Sequence, residues 1–494
     1  MQLIKTKDNN FTINIDNINI HSKYSPIKEA EKFVLERIKH QGTVIVLGPG
    51  LGYILKVLSD KYPDLEVISI PYNLELGDYS KRLNPTNRKQ WDGSTKIENF
   101  LKTHIIEDNI KGLQIVEWAP TAKIYKENSI SINNEIIKVV RRLNGNILTT
   151  ARFGKKWLIN SFRNYININE YITNFKINRP IVIVAPGKSL QDSITFLKEI
   201  RNSIMLISLS SANRALNYYG LKPDITFSTD PGYYSKLHLS NYNGIISMPL
   251  TNSTSENNPI LLINQGNKFE NDIINLGSLP SIELGENGTV AGTALLFSLN
   301  YSKEPIFLVG QDLESMDLES HIRPYAFDNL LEKSTNRTNP FYSVKFKRFI
   351  NEGISYKTYR DWFTNIGKNY VNRVFRVKSS SSPINGIKEI NQEEVKRVLQ
   401  NQITPPFSYE TVKNKSKKQR LYEVYNLLEN WLEIVEKEEL KENSLFYLIS
   451  TSLVTDAKDK TLTATEIENI TNECRKESSL FIKRLLSIYG RKLF

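Results

Sequence analysis

Short runs of β-branched and aliphatic residues alternate along much of this chain with stretches whose apolar positions recur every three or four residues. TVIVL at 43–47 is a buried-strand pattern that meets GPGLG at 48–52, and YILKVLSDKY behind it has helical spacing, which predicts strand, glycine turn, helix. LEVISI at 65–70 and LQIV at 113–116 read as further buried strands, so the first unit has a doubly wound α/β pattern. Residues 127–174, around Trp157, read as a polar–apolar helical stretch that links or braces two domains.

The pattern restarts at Pro180. IVIVAPGKSL is again a buried strand running into a small-residue turn, and DSITFLKEIR supplies the following helix. Strands are expected at 204–209, 223–230 (PDITFSTD), 244–248, 260–263 and 305–309 (PIFLV), with helices at 213–219 and 287–300, which implies a mostly parallel sheet. Beyond about residue 390, segments 392–402, 418–440 and 466–489 are charged, periodic and without strand signals, as in a helical bundle. The expected fold is therefore α/β, with two Rossmann-like doubly wound domains in series and a C-terminal helical bundle. Their expected spans are 1–170, 171–390 and 391–494.

Composition narrows the function classes. With 494 residues, 40% hydrophobic and 24% charged, the chain is long enough for several packed domains and unlike a disordered one. No uninterrupted apolar run approaches the ~18 residues of a membrane span, and the opening MQLIKTKDNNFTINIDNINI lacks the apolar core of a secretory signal. Cys474 is the only cysteine, which excludes an intrachain disulfide framework and a multi-cysteine zinc site. A cytoplasmic protein without a membrane span is expected. The net charge of +12 is concentrated at 333–378, where 11 Lys/Arg face 2 Asp/Glu among aromatics such as Phe341, Tyr342 and Trp362. No nucleic-acid module accompanies this segment, so a phosphate-bearing substrate, an acidic partner or solvation accounts for it and nucleic-acid binding is not expected.

Two turns invite chemistry. GPGLG suits backbone amides facing a phosphate or cofactor carboxylate, or simply close helix–strand packing. The acid that would hold a ribose at the end of the second strand is missing, because that strand ends Ile70-Pro71-Tyr72-Asn73. APGKSL places Gly187-Lys188-Ser189 before a helix, but Val182 stands where a P-loop needs glycine. A tight turn at the carboxyl end of the first strand remains the expected seat of a nucleotide phosphate in an open α/β sheet, with Lys188 as a point charge. Asp230 and Asp312 are expected at the ends of strands, where ligands bind such sheets, and neither sits in an Asp-x-Asp pair that would make a dedicated metal site. His321, nine residues after Asp312, is a candidate general base, and His238 a weaker one.

The series VIVAPGKSL, SLSSANRALNYYGLKPDITFSTDPG, NGTVAGTALLFSLN and IFLVGQDL, with His321 after it, resembles the central domain of the Maf (motility associated factor) flagellin glycosyltransferases. VIVLGPGLGYILKVL resembles their N-terminal domain, and FRVKSSSSPINGIKEI the segment closing the central one. The resemblance spans roughly residues 40–390. It implies a GT-A/sialyltransferase-like central domain, similar to bacterial CMP-sialic acid sialyltransferases and to archaeal 6-hydroxymethylpterin diphosphokinases. It also implies transfer of a nonulosonic acid, pseudaminic or legionaminic, from its CMP-activated donor to Ser/Thr hydroxyls of flagellin, with no cofactor beyond that donor. By the same resemblance Ala185, Pro186, Gly187, Lys188, Ser189 and Gln311 contact the donor nucleotide, while Asp230, Asp312 and His321 serve catalysis. Ala185 replaces the family's first glycine and Lys188 its proline. Two rival readings follow from the same domain: an ATP-dependent pyrophosphokinase, and a non-catalytic flagellin-binding protein.

Overall fold

The computed structural model describes residues 2–39, 42–86, 88–105, 110–253, 258–285, 287–315, 318–400, 406–437, 445–457 and 462–493. Its contacts divide the chain into two compact units, one of residues 1–154 and 429–486, the other of 155–428 and 487–494.

The first unit opens with a small antiparallel sheet of β1 (Leu3–Lys5), β2 (Phe11–Ile15) and β3 (Ile18–Asn19). A parallel four-stranded sheet follows, built from β4 (Thr43–Leu47), β5 (Glu66–Ile70), β6 (Lys89–Gln90) and β7 (Leu113–Glu117) in the order β6-β5-β4-β7. All five β4 side chains are buried, which explains the continuous apolar run. Val44 and Val46 face a core shared with helices Pro26–Arg37 and Tyr53–Lys61, whereas Ile45 and Leu47 face one shared with helix Ile97–His104 and the start of helix Lys126–Asn167. Each fully buried side chain of this kind stabilises by roughly 1.5–3 kcal/mol.

The second unit is organised by an 11-stranded sheet. Its strands are β8 (Glu170–Lys176), β9 (Ile181–Val184), β10 (Met205–Leu209), β11 (Ile225–Phe227), β12 (Ile245–Met248), β13 (Ile260–Asn264) and β14 (Ile282–Glu283), then β15 (Ile306–Val309), β16 (Val374–Val377), β17 (Lys388–Ile390) and β18 (Ser408–Lys413). The order is β17-β16-β15-β9-β10-β11-β12-β13-β8-β18, with β14 beside β13; only β18 runs antiparallel. Alternate β9 residues pack on opposite faces: Ile181 and Ile183 against helix Val290–Tyr301, Val182 and Val184 against helix Ile194–Ile200. From β9 the chain winds one way through β10 to β13, then returns to β9's other side at β15. That reversal is a topological switch point, and its carboxyl edge is where open α/β sheets bind ligands.

Two expectations shift. The stretch read as helical through residue 174 becomes a strand at Glu170, after helix Lys126–Asn167 ends. The region read as free of strands after residue 390 contains β18, all six of whose residues are exposed, so no apolar alternation announces it. Helices Gln392–Leu399, Lys417–Val435, Leu445–Ile449, Thr451–Ala457 and Ala464–Leu493 bear out the helical C-terminal region. Residues 401–402 and 438–440 of the expected helices lie outside the described residues. No helix among the described residues is long and apolar enough to cross a membrane.

Candidate functional site

The turn after β9 and the turn after β15 are tied together backbone to backbone. Ala185 N–H donates to the Val309 carbonyl and Gly187 N–H to the Gly310 carbonyl, both at 2.9 Å. This closeness requires glycine twice. A Cβ on Gly187 would lie 2.3 Å from the Gly310 carbonyl oxygen, and one on Gly310, whose φ is +67°, would lie 2.3 Å from that of Ala185.

Asp312 stands three residues beyond the end of β15 and is 2% exposed. Its Oδ2 accepts the Ser189 N–H at 2.9 Å, and its Oδ1 accepts the hydroxyls of Ser189 and, at 2.9 Å, Ser381. Arg376 on β16, 1% exposed, is its buried counter-charge at 4.0 Å; that guanidinium also donates to Glu389 at 2.5 Å, to Ser379 at 3.2 Å, to Ser381 and to the Gln311 carbonyl at 3.4 Å. Gln311 itself is 6% exposed. Arg360 donates to the Asp312 carbonyl at 3.0 Å and the Pro383 carbonyl at 2.8 Å. A carboxylate so engaged fixes the loops of three adjacent strands, β9, β15 and β16.

The turn's amides are largely committed within the protein, since Leu190 N–H also donates to the Gly187 carbonyl at 3.0 Å. Pro186 and Lys188 are its partly exposed residues. Lys188 Nζ lies 3.9 Å from Glu319, which also pairs with Arg323 at 3.4 Å and Lys345 at 3.2 Å. Arg323 also pairs with Asp328 at 3.0 Å, so three cations meet two carboxylates and leave a net positive rim beside the turn. The His321 loop reaches the same turn through Ile322 N–H, which donates to the Pro186 carbonyl at 2.7 Å. His321 Nδ1 is 2.7 Å from the Ser320 hydroxyl, and its ring stacks on Tyr325 at 4.2 Å. His238, 7% exposed, packs against Tyr325 and Phe327, at 5.3 and 4.3 Å between ring centres.

The structure thus gathers residues 185–189, Gln311, Asp312 and the His321 loop at one edge. Asp230 belongs to a neighbouring cluster. It is exposed, three residues beyond β11, and its Oδ1 accepts the Gly232 N–H at 2.7 Å while its carbonyl accepts the Ser253 N–H at 3.1 Å. Among the described residues no group of His, Cys, Asp and Glu is assembled to hold a metal ion.

Sequence reasoning missed Arg376, Ser381, Glu319 and Asn213. A lone arginine inside the strand run VFRV, followed by four serines, is a usable signal for a buried charge with hydroxyl partners. Asn213, 5% exposed after β10, accepts hydrogen bonds at Oδ1 from Ser208 at 2.7 Å and Thr226 at 3.1 Å, while its buried Nδ2 has no partner. It lines a cavity of about 810 Å³ together with Arg214, Lys222, Tyr242 and Lys333.

A family profile described as MptE-like, 6-hydroxymethylpterin diphosphokinase MptE-like, matches residues 155–317, which contain most of this site. An uncharacterized protein of Treponema pallidum (strain Nichols) is 26% identical over 303 residues, 60% of this chain and 67% of that protein. Among solved structures, the Maf glycosyltransferase from Magnetospirillum magneticum AMB-1 matches 100% of this chain and 92% of its own with a TM-score of 0.58, at 13% identity. At that identity the likeness is one of fold. The motif resemblance to Maf proteins therefore extends to the architecture of the whole chain.

Proposed function

We propose that this chain is a glycosyltransferase that moves a nonulosonic acid, pseudaminic or legionaminic, from its CMP-activated form to Ser or Thr hydroxyls of flagellin. The observation that carries this reading is the carboxyl edge at the β9/β15 switch point, where the Lys188 turn, the buried Asp312 and the His321 loop are tied together. The Maf-like fold of the whole chain supports it.

In this reading Lys188 meets the donor phosphate and Glu319 yields it, since the anionic non-bridging oxygens of the phosphodiester compete with the carboxylate for the same ammonium. The bond from the anomeric carbon to the phosphate oxygen breaks, and CMP leaves with the electron pair. The acceptor hydroxyl oxygen bonds to that carbon, and its proton passes to His321 acting as general base. Cations beside the turn stabilise the leaving phosphate. Asp312 acts through Ser189, as a positioning residue.

The match of residues 155–317 to the MptE-like profile favours a second reading, pyrophosphate transfer from ATP. Intact flagellin mass from cells with and without the gene, beside titration of the purified protein with CMP, ATP and a CMP-nonulosonate, separates the two. The transferase reading expects loss of sugar-sized mass increments and CMP-selective binding. Unchanged flagellin with ATP-selective, magnesium-dependent binding sinks it; unchanged sugar content with retained flagellin binding leaves a non-catalytic binder.

A further inference from the structure

The cavity of about 810 Å³ beside Asn213 is a groove that follows helix Asn213–Tyr218 from the carboxyl edge of the sheet to its amino edge. At the first end Asn213 stands just beyond β10, and at the other Lys222 and Asn243 precede β11 and β12. Helix Asp328–Lys333 closes one side with Asn329, Leu330 and Lys333. The walls are held by the protein itself. Asn258 donates to the carbonyls of Tyr242 and Gly244, both at 2.8 Å, and the Leu221 N–H donates to the Leu216 carbonyl at 2.8 Å. Loops fixed in this way need little further ordering when a ligand arrives.

The lining combines charge with amides. Arg214, Lys222 and Lys333 are exposed on it, and no Asp or Glu lines it among the described residues. The nearby Asp224 is engaged by Arg201 at 2.8 Å. Charge complementarity therefore calls for an anionic occupant. Asn213, Asn217, Asn241, Asn243 and Asn329 line the same groove. Each of their amides sets N–H donors beside a carbonyl acceptor, the pair that a polypeptide backbone repeats at every residue. Asn213 supplies an independent indication of a ligand. It is 5% exposed, the hydroxyls of Ser208 and Thr226 take its Oδ1, and its buried Nδ2 has no partner. An unmet donor is costly in a protein interior, and a carbonyl or carboxylate oxygen entering the groove would satisfy it. Burial pushes the Tyr242 hydroxyl up to about 12, so it too remains a donor at neutral pH.

We propose that this groove holds an extended, acidic segment of the acceptor polypeptide, an inference that rests on the transferase reading above. The groove and the proposed base share one stretch of chain. Ala326, on the groove wall, directly follows Tyr325, whose ring stacks on His321 at 4.2 Å. Leu237, on the same wall, directly precedes His238, whose ring lies 5.3 Å from that of Tyr325. An extended chain advances about 3.3 Å per residue. Residues just beyond a segment seated at Asn213 therefore carry a Ser or Thr hydroxyl toward His321. A single phosphate would engage the cations but leave amides spread from one sheet edge to the other unused, which favours a polypeptide. Because backbone and charge are what the groove reads, a peptide of generic acidic sequence is a sufficient probe.

Purified full-length protein is titrated with a short fluorescent peptide of alternating Asp and Ser, its Lys-for-Asp counterpart, hexagalacturonate, inorganic phosphate, CMP and a CMP-nonulosonate. The unaltered chain is compared with N213D, N217A and a double variant carrying R214E and K333E. N213D keeps the acceptor for Ser208 and Thr226 and removes the unmet donor; the other positions are exposed, so they keep the test open if N213D fails to fold, which melting curves verify. The expected result is preference for the Asp peptide over the Lys peptide, a loss of at least tenfold in the double variant and in N213D, a smaller loss in N217A, and unchanged CMP affinity. With flagellin and a CMP-nonulosonate as substrates, the double variant should raise KM for flagellin and leave that for the donor unchanged. Equal affinity of the double variant and the unaltered chain for the Asp peptide overturns the groove while leaving the transferase reading intact. Tighter binding of hexagalacturonate or phosphate than of the peptide, lost in the double variant, also overturns it and reassigns the groove to that anion. Failure of the unaltered chain to bind either CMP ligand overturns the transferase reading and the acceptor role of the groove with it.

Discussion

The chain contains two strand–turn–helix openings of the same design, GPGLG after β4 and APGKSL after β9, and the protein treats them in opposite ways. Each lies where the strand order of its sheet reverses. The first is filled. Leu51 N–H donates to His21 Nε2 at 2.9 Å, Asn84 donates to the Leu51 carbonyl at 2.7 Å, and Thr121 donates to the Gly48 carbonyl at 2.5 Å. The His21 ring stacks on Trp118 at 5.5 Å, and residues 43–55 are buried. In the second, a buried acid from another strand holds the turn from behind, and Pro186 and Lys188 face outward. A glycine-rich turn at a switch point is therefore a place where a ligand can sit, and whether one does depends on which side chains of the same protein already occupy it.

The largest expected effect tests the buried acid. Asp312→Ala leaves Glu389 as the acidic partner of the Arg376 guanidinium and removes the acceptor of the Ser189 N–H and of the Ser189 and Ser381 hydroxyls. Removal of one partner from a buried ion pair costs about 3–5 kcal/mol. A loss of this size in urea unfolding is expected and, under the transferase reading proposed above, loss of activity with it. Asp312→Asn keeps the volume and one acceptor and should lose less in both measurements.

Next in size is a test of the filled turn. A Cβ at Gly50 would lie 2.5 Å from His21 Nε2 and 2.6 Å from Ile20, at a φ of +61°. Left-handed backbone and overpacking together predict a loss of about 2–3 kcal/mol for Gly50→Ala. CMP affinity should not change, and a tenfold fall in a folded variant would reverse the contrast between the turns.

How far these differences are visible beforehand depends on where the partners lie in the chain. Strands β4, β9 and β15 announce themselves because they are buried on both faces and read as unbroken apolar runs. The turns follow from their glycines. Asp312 is recognisable as an acid just past a strand, but its burial depends on Arg376 and Ser381, more than sixty positions later, which only the sheet order brings beside it. His21 gives no sign of its role, because it comes from the segment after a two-residue strand and meets Leu51 thirty residues on. Edge strand β18 is hidden for the opposite reason, having no buried face to pattern.

A smaller effect separates the turns by pH. Burial holds His21 below its ordinary value of 6.5, although Glu29 works in the other direction. The unfolded chain therefore binds this proton more readily than the folded one. His21 favours the fold above about pH 6.5, and that stability is lost as pH falls from there through the depressed folded value, by at most about 1.4 kcal/mol per pH unit. Since a protonated imidazole cannot accept the Leu51 N–H, urea unfolding of His21→Gln should show a flatter dependence between pH 7 and pH 5. An unchanged slope would assign the acid sensitivity to other groups.

The smallest stability effect carries the most information about function. Lys188 is paired with Glu319 at 3.9 Å, and both side chains are partly exposed, at 30% and 28%. Such a pair contributes about 0–1 kcal/mol, and Glu319 keeps Arg323 and Lys345 when Lys188 is replaced. Lys188→Gln should therefore melt within a degree or two of the unaltered protein. If the turn receives an anionic phosphate, the same substitution removes a charge that the ligand meets directly, and CMP affinity should fall about tenfold and less steeply with added salt. A variant that keeps its stability and its CMP affinity would place the second turn with the first, as a glycine-rich corner kept for packing.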